Sequence, residues 1–196
     1  MEAEDERRRA AVTAGYTGDV GTLRALLRDP APKVRASALG GLVRAAAVTA
    51  DDVRGALDDP SPLVRRRACE EAARIAGVDL VPVLADPDPL VVEAACWALG
   101  EREAADSATV AAIAAVATGH DDALAREAAV AALGAIGDER GLPAILAATA
   151  DKPAVRRRAI LALAPFEGPD VEAALERALE DRDWQVRQAA EDLTGR

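Results

Sequence analysis

Aromatic side chains are nearly missing from this sequence: one Phe, one Tyr and two Trp make up 2% of its 196 residues. Any core must therefore be built from Ala, Val, Leu and Ile. Such small side chains suit helices that approach closely, Ala and Leu are strong helix formers, and β-structure fits poorly. Histidine occurs once, at His120, and cysteine twice, at Cys69 and Cys96, too few ligands for a Cys/His metal site. Basic charge is short as well. Against 34 Asp and Glu stand 24 Lys and Arg, for a net charge of -10, which argues against nucleic acid because phosphate binding needs a basic stripe. No apolar run reaches the length of a membrane span. The opening Met-Glu-Ala-Glu-Asp-Glu-Arg-Arg-Arg lacks the cation-then-apolar order of a signal peptide, so the expected location is cytoplasmic.

What is present is a repeat. A turn with Asp and Pro leads into Val-Arg at Asp29-Pro-Ala-Pro-Lys-Val34-Arg35 and Asp59-Pro-Ser-Pro-Leu-Val64-Arg65, and into Val-Val at Asp86-Pro-Asp-Pro-Leu-Val91-Val92. Looser copies follow at Asp122-Ala-Leu-Ala125-Arg126, Asp151-Lys-Pro-Ala-Val155-Arg156 and Asp181-Arg-Asp-Trp-Gln-Val186-Arg187. Successive anchors lie 27 to 34 residues apart, the period of a stacked helical array. With 51% hydrophobic residues the chain can bury a substantial core.

Each unit reads as two helical segments. The first segments are Asp19–Leu27, Asp51–Leu57, Leu80–Leu84, Ala108–Ala117, Leu142–Thr149 and Val171–Leu179. Thr49 and Asp52 have capping-box spacing, and Ser107 sits where an N-cap is needed. The second segment begins at the cassette, where Ser61, Asp88 and Asp183 precede the first helical residue. Proline in that first position loses no needed hydrogen bond. Along the second segment, offsets 0, +4, +8 and +11 from the anchor share one face. They are Val34, Ala38, Leu42 and Ala45 in the first repeat, and Ala125, Ala129, Leu133 and Ile136 in the fourth. No unit can bury that face alone, so the units must stack. Cys69 and Cys96 occupy equivalent positions, five residues past their anchors, and read as small core residues.

The Arg one residue past the anchor recurs as Arg35, Arg65, Arg126, Arg156 and Arg187. At the edge of a buried face an Arg requires a partner. The pattern is therefore read as a ladder in which each Arg reaches an Asp of a neighbouring turn, in preference to a basic ligand-binding row. Val92 breaks the ladder in the third repeat, and His120 and Ala150 replace the aligned Asp in the fourth and fifth.

Asp-Pro-x-Pro-x-Val-Arg-x-x-Ala with a downstream Leu-Gly, as in Ala98-Leu99-Gly100 and Ala132-Leu133-Gly134, resembles HEAT-like repeats of the phycobilisome-lyase type. The resemblance covers roughly residues 18–195. It implies an all-α fold: an α-solenoid of about six helical hairpins behind an N-terminal cap helix, in one repeat domain over 1–196. The cap is 1–17 and the repeats are 18–47, 48–77, 78–104, 105–137, 138–167 and 168–196, the last closing on a polar end formed by Gln188, Glu191 and Asp192. It also implies that the second helices line a concave face.

Offsets +2 and +6 point furthest from the core. Trp97, Ala131 and Leu161 fall in the +6 column as an apolar strip, with Glu93 and Glu127 beside it and Arg66 and Arg157 towards its ends. These seven residues are the candidate partner-binding site. An exposed aromatic in such a strip anchors protein interfaces. Trp184, in the proline slot of the last cassette, is expected to pack against the fifth repeat.

No catalytic, cofactor or metal constellation is found. His120 lies in a Gly-His-Asp-Asp turn, and Gly137-Asp-Glu-Arg-Gly141 matches neither a P-loop nor a dinucleotide fingerprint. The expected function is thus a non-enzymatic scaffold that binds a protein or peptide, basic or amphipathic, with no nucleic acid, membrane or cofactor. Two alternatives follow from the resemblance: a tetrapyrrole or small-molecule lyase or carrier, and a nucleic-acid-processing protein that the acidic charge disfavours.

Overall fold

Proline and aspartate set where the helices begin. Pro32, Pro62, Pro89, Pro153 and Pro169 are each the first helical residue of their segment, where a missing N–H costs nothing. A computed structural model describes residues 2–102 and 105–195, which form twelve α-helices and no strand. The expected end of the third repeat, Ala104, lies outside the described residues. The chain divides into two compact units, Met1–Ala98 and Leu99–Arg196.

In the first unit, α1 (Glu2–Thr17) and α2 (Val20–Leu26) both pack on α3 (Pro32–Arg44). Helix α4 (Ala50–Leu57) packs on α5 (Pro62–Ala72), and α5 lies beside α3. Helix α6 (Pro89–Gly100) begins here and runs across the division. In the second unit α7 (Ser107–Gly119), α9 (Leu142–Ala148) and α11 (Pro169–Leu179) form one layer. Helices α8 (Ala123–Ile136), α10 (Pro153–Ala162) and α12 (Trp184–Thr194) form the other.

The anchor, +4 and +8 positions are buried as expected, Val34, Ala38, Leu42, Ala125, Ala129 and Leu133 all being out of solvent, while Ala45 and Ile136 at +11 are only half-buried. The buried surface is wider than that one stripe, because each second helix also has second helices at its flanks. Leu39, Cys69, Cys96, Val130 and Ile160, all at offset +5, are buried too. Burial pushes the Cys69 and Cys96 thiols up to about 12. Small residues set the closest approach. A Cβ on Gly134 of α8 would lie 2.7 Å from both Cα and Cβ of Ala162 on α10.

Three local expectations need correction. The first segment of the third repeat is a 3₁₀ turn, Val81–Ala85, with Leu80 and Leu84 buried. Five residues that include Pro82 are too few to sustain an α-helix. Asp106, not Ser107, caps α7, its carboxylate accepting the Thr109 N–H at 2.8 Å. Ser61 precedes α5 but its side chain makes no cap hydrogen bond; its backbone N–H donates to Asp59 at 2.8 Å. Thr49 and Asp52 do form the reciprocal box.

The arginines form the ladder, and Arg35, Arg65, Arg126 and Arg156 each make two connections. Backwards, Nη1 donates to the carbonyl of its own turn: Arg35 to Asp29 at 2.8 Å, Arg65 to Asp59 at 2.9 Å, Arg126 to His120 at 2.7 Å and Arg156 to Asp151 at 2.9 Å. Forwards, Nε and Nη2 grip the carboxylate of the next turn. The distances are 2.7 and 2.6 Å for Arg35–Asp59, 2.7 and 2.9 Å for Arg65–Asp86, and 2.6 and 2.8 Å for Arg126–Asp151. The Asp also builds its turn, accepting the N–H two residues on from Ala31, Ser61, Asp88 and Asp183. Bidentate, charge-assisted bonds of this kind fix orientation as well as distance.

Two details depart from the sequence reading. The fifth cassette is one residue shorter, so Asp151 does the work assigned to the missing Asp at Ala150. The cap helix supplies a rung of its own, Arg7 to Asp29 at 2.6 and 3.2 Å. In register, Val92 takes the arginine position and His120 the aspartate position that would answer it. His120 keeps the turn, its Nδ1 accepting the Asp122 N–H at 3.0 Å.

Candidate functional site

Helix α10 carries three consecutive arginines, and successive turns of about 100° send them three ways. Arg156 is the buried ladder residue, bonded to Asp181 at 2.9 and 2.7 Å. Arg158 reaches α8, where its Nη2 lies 3.4 Å from Glu127 Oε1. Arg157 is exposed and lines a cleft between α10 and α12. Among the described residues no carboxylate stands within ion-pair distance of it.

That cleft has a volume of ≈ 200 Å³ and lies within the second unit. Leu161 and Ala189 supply apolar surface, Trp184 adds its indole, and Gln185, Gln188 and Asp192 complete the lining with Arg157. The local sequence explains Trp184. The carboxylate of Asp181 holds the Asp183 N–H at 2.8 Å, and that of Asp183 caps α12 through the Gln185 N–H at 2.9 Å. Trp184 is thereby placed as the first helical residue, a position that projects from the helix end. It is 64% exposed, which corrects the expectation that it packs away against the fifth repeat. Within the cleft, Gln188 Nε2 donates to Asp192 Oδ1 at 2.9 Å.

The other candidate residues take individual places. Leu161 is half-buried in the cleft, and Ala131 is half-buried on α8. Glu127 is committed to Arg158. In the first unit, Trp97 on α6 is 43% exposed, Glu93 one turn before it is half-buried, and Arg66 Nε lies 3.3 Å from Glu70 Oε1 on α5. Leu63 and Leu90, one residue before their anchors, are also exposed. The sequence columns contained Gln188 and Asp192 as a polar end. What they missed was Trp184 beside them, although a Trp in a slot that four other cassettes fill with proline was a visible anomaly.

The arrangement offers an apolar wall, one cation that is unpaired among the described residues, one anion and two amides. It is equipped to hold a side chain and its neighbours. Among the described residues no group of three or more His, Cys, Asp and Glu could hold a metal ion, and no helix is long and apolar enough to cross a membrane.

Comparison with solved structures places the fold. The X-ray structure of the Escherichia coli protein YIBA matches with a TM-score of 0.70 at 19% identity, covering 93% of this chain and 70% of that one. A designed armadillo repeat protein in complex with the peptide (KR)4 matches with a TM-score of 0.61 at 18% identity, over 88% of this chain and 97% of that one. Human deoxyhypusine hydroxylase in complex with glycerol matches with a TM-score of 0.52 at 21% identity, over 96% and 78%. At these identities the likeness is one of fold, an α-helical repeat solenoid. No curated protein matches the chain. Family models match along it: HEAT repeats over residues 20–86 and 77–154, and a PBS lyase HEAT-like repeat over residues 155–181. With the repeat period, the Arg–Asp ladder and the paired helices in place, these matches identify the chain as a member of the HEAT-repeat family.

Proposed function

We propose that this protein is a non-enzymatic interaction scaffold that holds a protein or peptide segment against the second helices of its repeats. The observation that carries this reading is Trp184, more exposed than buried, facing Leu161 across an open cleft. Exposed indoles beside aliphatic surface are the side chains that dominate interface energies. Ala131 and Glu127 extend the same helix layer in the second unit, and Arg66, Glu93 and Trp97 offer a comparable surface in the first. The net charge of -10 attracts a basic or amphipathic partner at long range. That a designed repeat protein of this fold carries the basic peptide (KR)4 is in keeping with such a partner. Two unbridged, buried thiols suit a reducing compartment such as the cytoplasm.

The lyase or carrier alternative calls for an enclosed apolar pocket, and the α10–α12 cleft is open to solvent. The test is affinity purification from the native cell with wild type, Trp184→Ala/Leu161→Glu and Trp97→Ala, each checked for unchanged helicity. A partner recovered by wild type and reduced at least tenfold by the cleft variant is the expected result. Equal recovery by all three would remove the second-helix face from consideration.

A further inference from the structure

Within the cleft one cation, Arg157, stands with one anion, Asp192. The protein as a whole is acidic, yet the exposed charge beside the Trp184–Leu161 wall that lacks a partner among the described residues is a cation. Arg156 is spent on Asp181 and Arg158 on Glu127, while Arg157 lines the cleft. The cleft's anion, Asp192, already accepts a hydrogen bond from Gln188 and sits four residues further along its own helix, about 6 Å of rise.

We infer that the cleft recognises an acidic residue placed next to a bulky apolar one, within a partner segment that passes through. This deepens the scaffold reading above and rests on it. The apolar side chain enters between Trp184 and Leu161, the neighbouring carboxylate pairs with the Arg157 guanidinium, and the Gln185 and Gln188 amides are placed for the segment's backbone. A guanidinium can grip a carboxylate through two N–H groups at once, which makes this contact selective. The cleft lies between two helices and is open to solvent, so an internal stretch of chain fits it better than a terminal carboxylate. Long-range attraction of a basic partner and short-range selection of one acid–apolar step are compatible, because the first sets encounter and the second sets specificity.

Selection of a randomised dodecapeptide display library tests this on the full chain, using wild type, Arg157→Gln, Arg158→Gln and Trp184→Ala. Wild type and Arg158→Gln should enrich peptides with Asp or Glu within two residues of Leu, Ile, Phe or Met. Arg157→Gln should keep the apolar preference and lose the acidic one, and Trp184→Ala should lose the apolar preference. For an enriched peptide, replacing its acid by the amide should weaken binding about tenfold to wild type and leave binding to Arg157→Gln unchanged. Enriched peptides that need Trp184 but carry no acid would overturn the carboxylate assignment and leave the scaffold reading standing. Enrichment that ignores Trp184 would overturn the cleft itself. No enrichment with any variant would count against the scaffold reading as well.

Discussion

Arg156 reaches forward one repeat to hold Asp181 with two nitrogens, at 2.9 and 2.7 Å, while a third holds the carbonyl of Asp151 in its own turn. The next arginine in register, Arg187, keeps only the backward bond, to the Asp181 carbonyl at 2.6 Å, and among the described residues has no forward carboxylate. One side chain thus joins two repeats, and its counterpart secures one turn.

Removing the two should therefore have unequal effects. Arg156→Ala strands a largely buried Asp181 carboxylate and should cost about 3 kcal/mol. Arg187→Ala loses one hydrogen bond and should cost about 1 kcal/mol. Urea unfolding of the two variants measures the difference. Equal midpoints would mean that the forward grip adds no net stability.

The same rungs predict a pH dependence of definite sign. Hydrogen bonds from the guanidinium groups hold the Asp29, Asp151 and Asp181 carboxyls below their ordinary value. For Asp59 and Asp86 burial is the largest influence and pushes upward, but the bonds from Arg35, Arg65 and the turn N–H groups together leave both lowered. A lowered folded pKa contributes stability that is full above the unfolded value, near 4, and lost as pH falls through the folded one. Denaturation midpoints should be level from neutral pH to about 5 and fall below about 4. Asp181→Asn should show a shallower acid loss than wild type.

Two glycines should respond oppositely to alanine. At Gly134 the new methyl would meet the Ala162 backbone at 2.7 Å, which neither helix can yield cheaply, so a loss of about 1–3 kcal/mol is expected. At Gly55, inside α4, a Cβ meets nothing within 4 Å, and the reduced backbone entropy of the unfolded chain should stabilise by about 0.5–1 kcal/mol. Thermal melts of both variants check the pair of signs.

Cys69 and Cys96 should not react with a thiol reagent in the native state. Both are buried, and burial pushes each thiol up to about 12, leaving almost no thiolate at neutral pH. The labelling rate should follow unfolding, rising with urea. Rapid labelling in buffer would show that the α5 and α6 cores open locally.

Much of the fold was legible because its signals are local. A proline at the first helical position, an aspartate two residues before a turn N–H and a Val every thirty residues or so act within a few residues of themselves. Thr49 and Asp52 are such a case. Asp106 and Ser107 show the limit, since two adjacent capping residues compete and the carboxylate, the stronger acceptor, takes the N–H. The rung from Arg7 to Asp29 was also within reach. Its separation of 22 residues falls within the 21 to 25 spanned by the other rungs, but the cap helix carries no cassette to mark it.

The candidate site was less legible, because exposure depends on neighbours from other repeats. The wheel put Arg157 and Leu161 on an outward face, yet it could not say that Arg158 would turn to Glu127 while Arg157 faced α12. Nor could it show that Trp184, in a slot made for proline, would stand out over Leu161. The sequence by itself determined the repeat, the prolines that open the helices, the buried stripe and most of the Arg–Asp pairing, all set by backbone hydrogen bonding and helical period. Only the tertiary structure decided which charges are spent and which indole is left uncovered, because those outcomes depend on how neighbouring helices pack side by side.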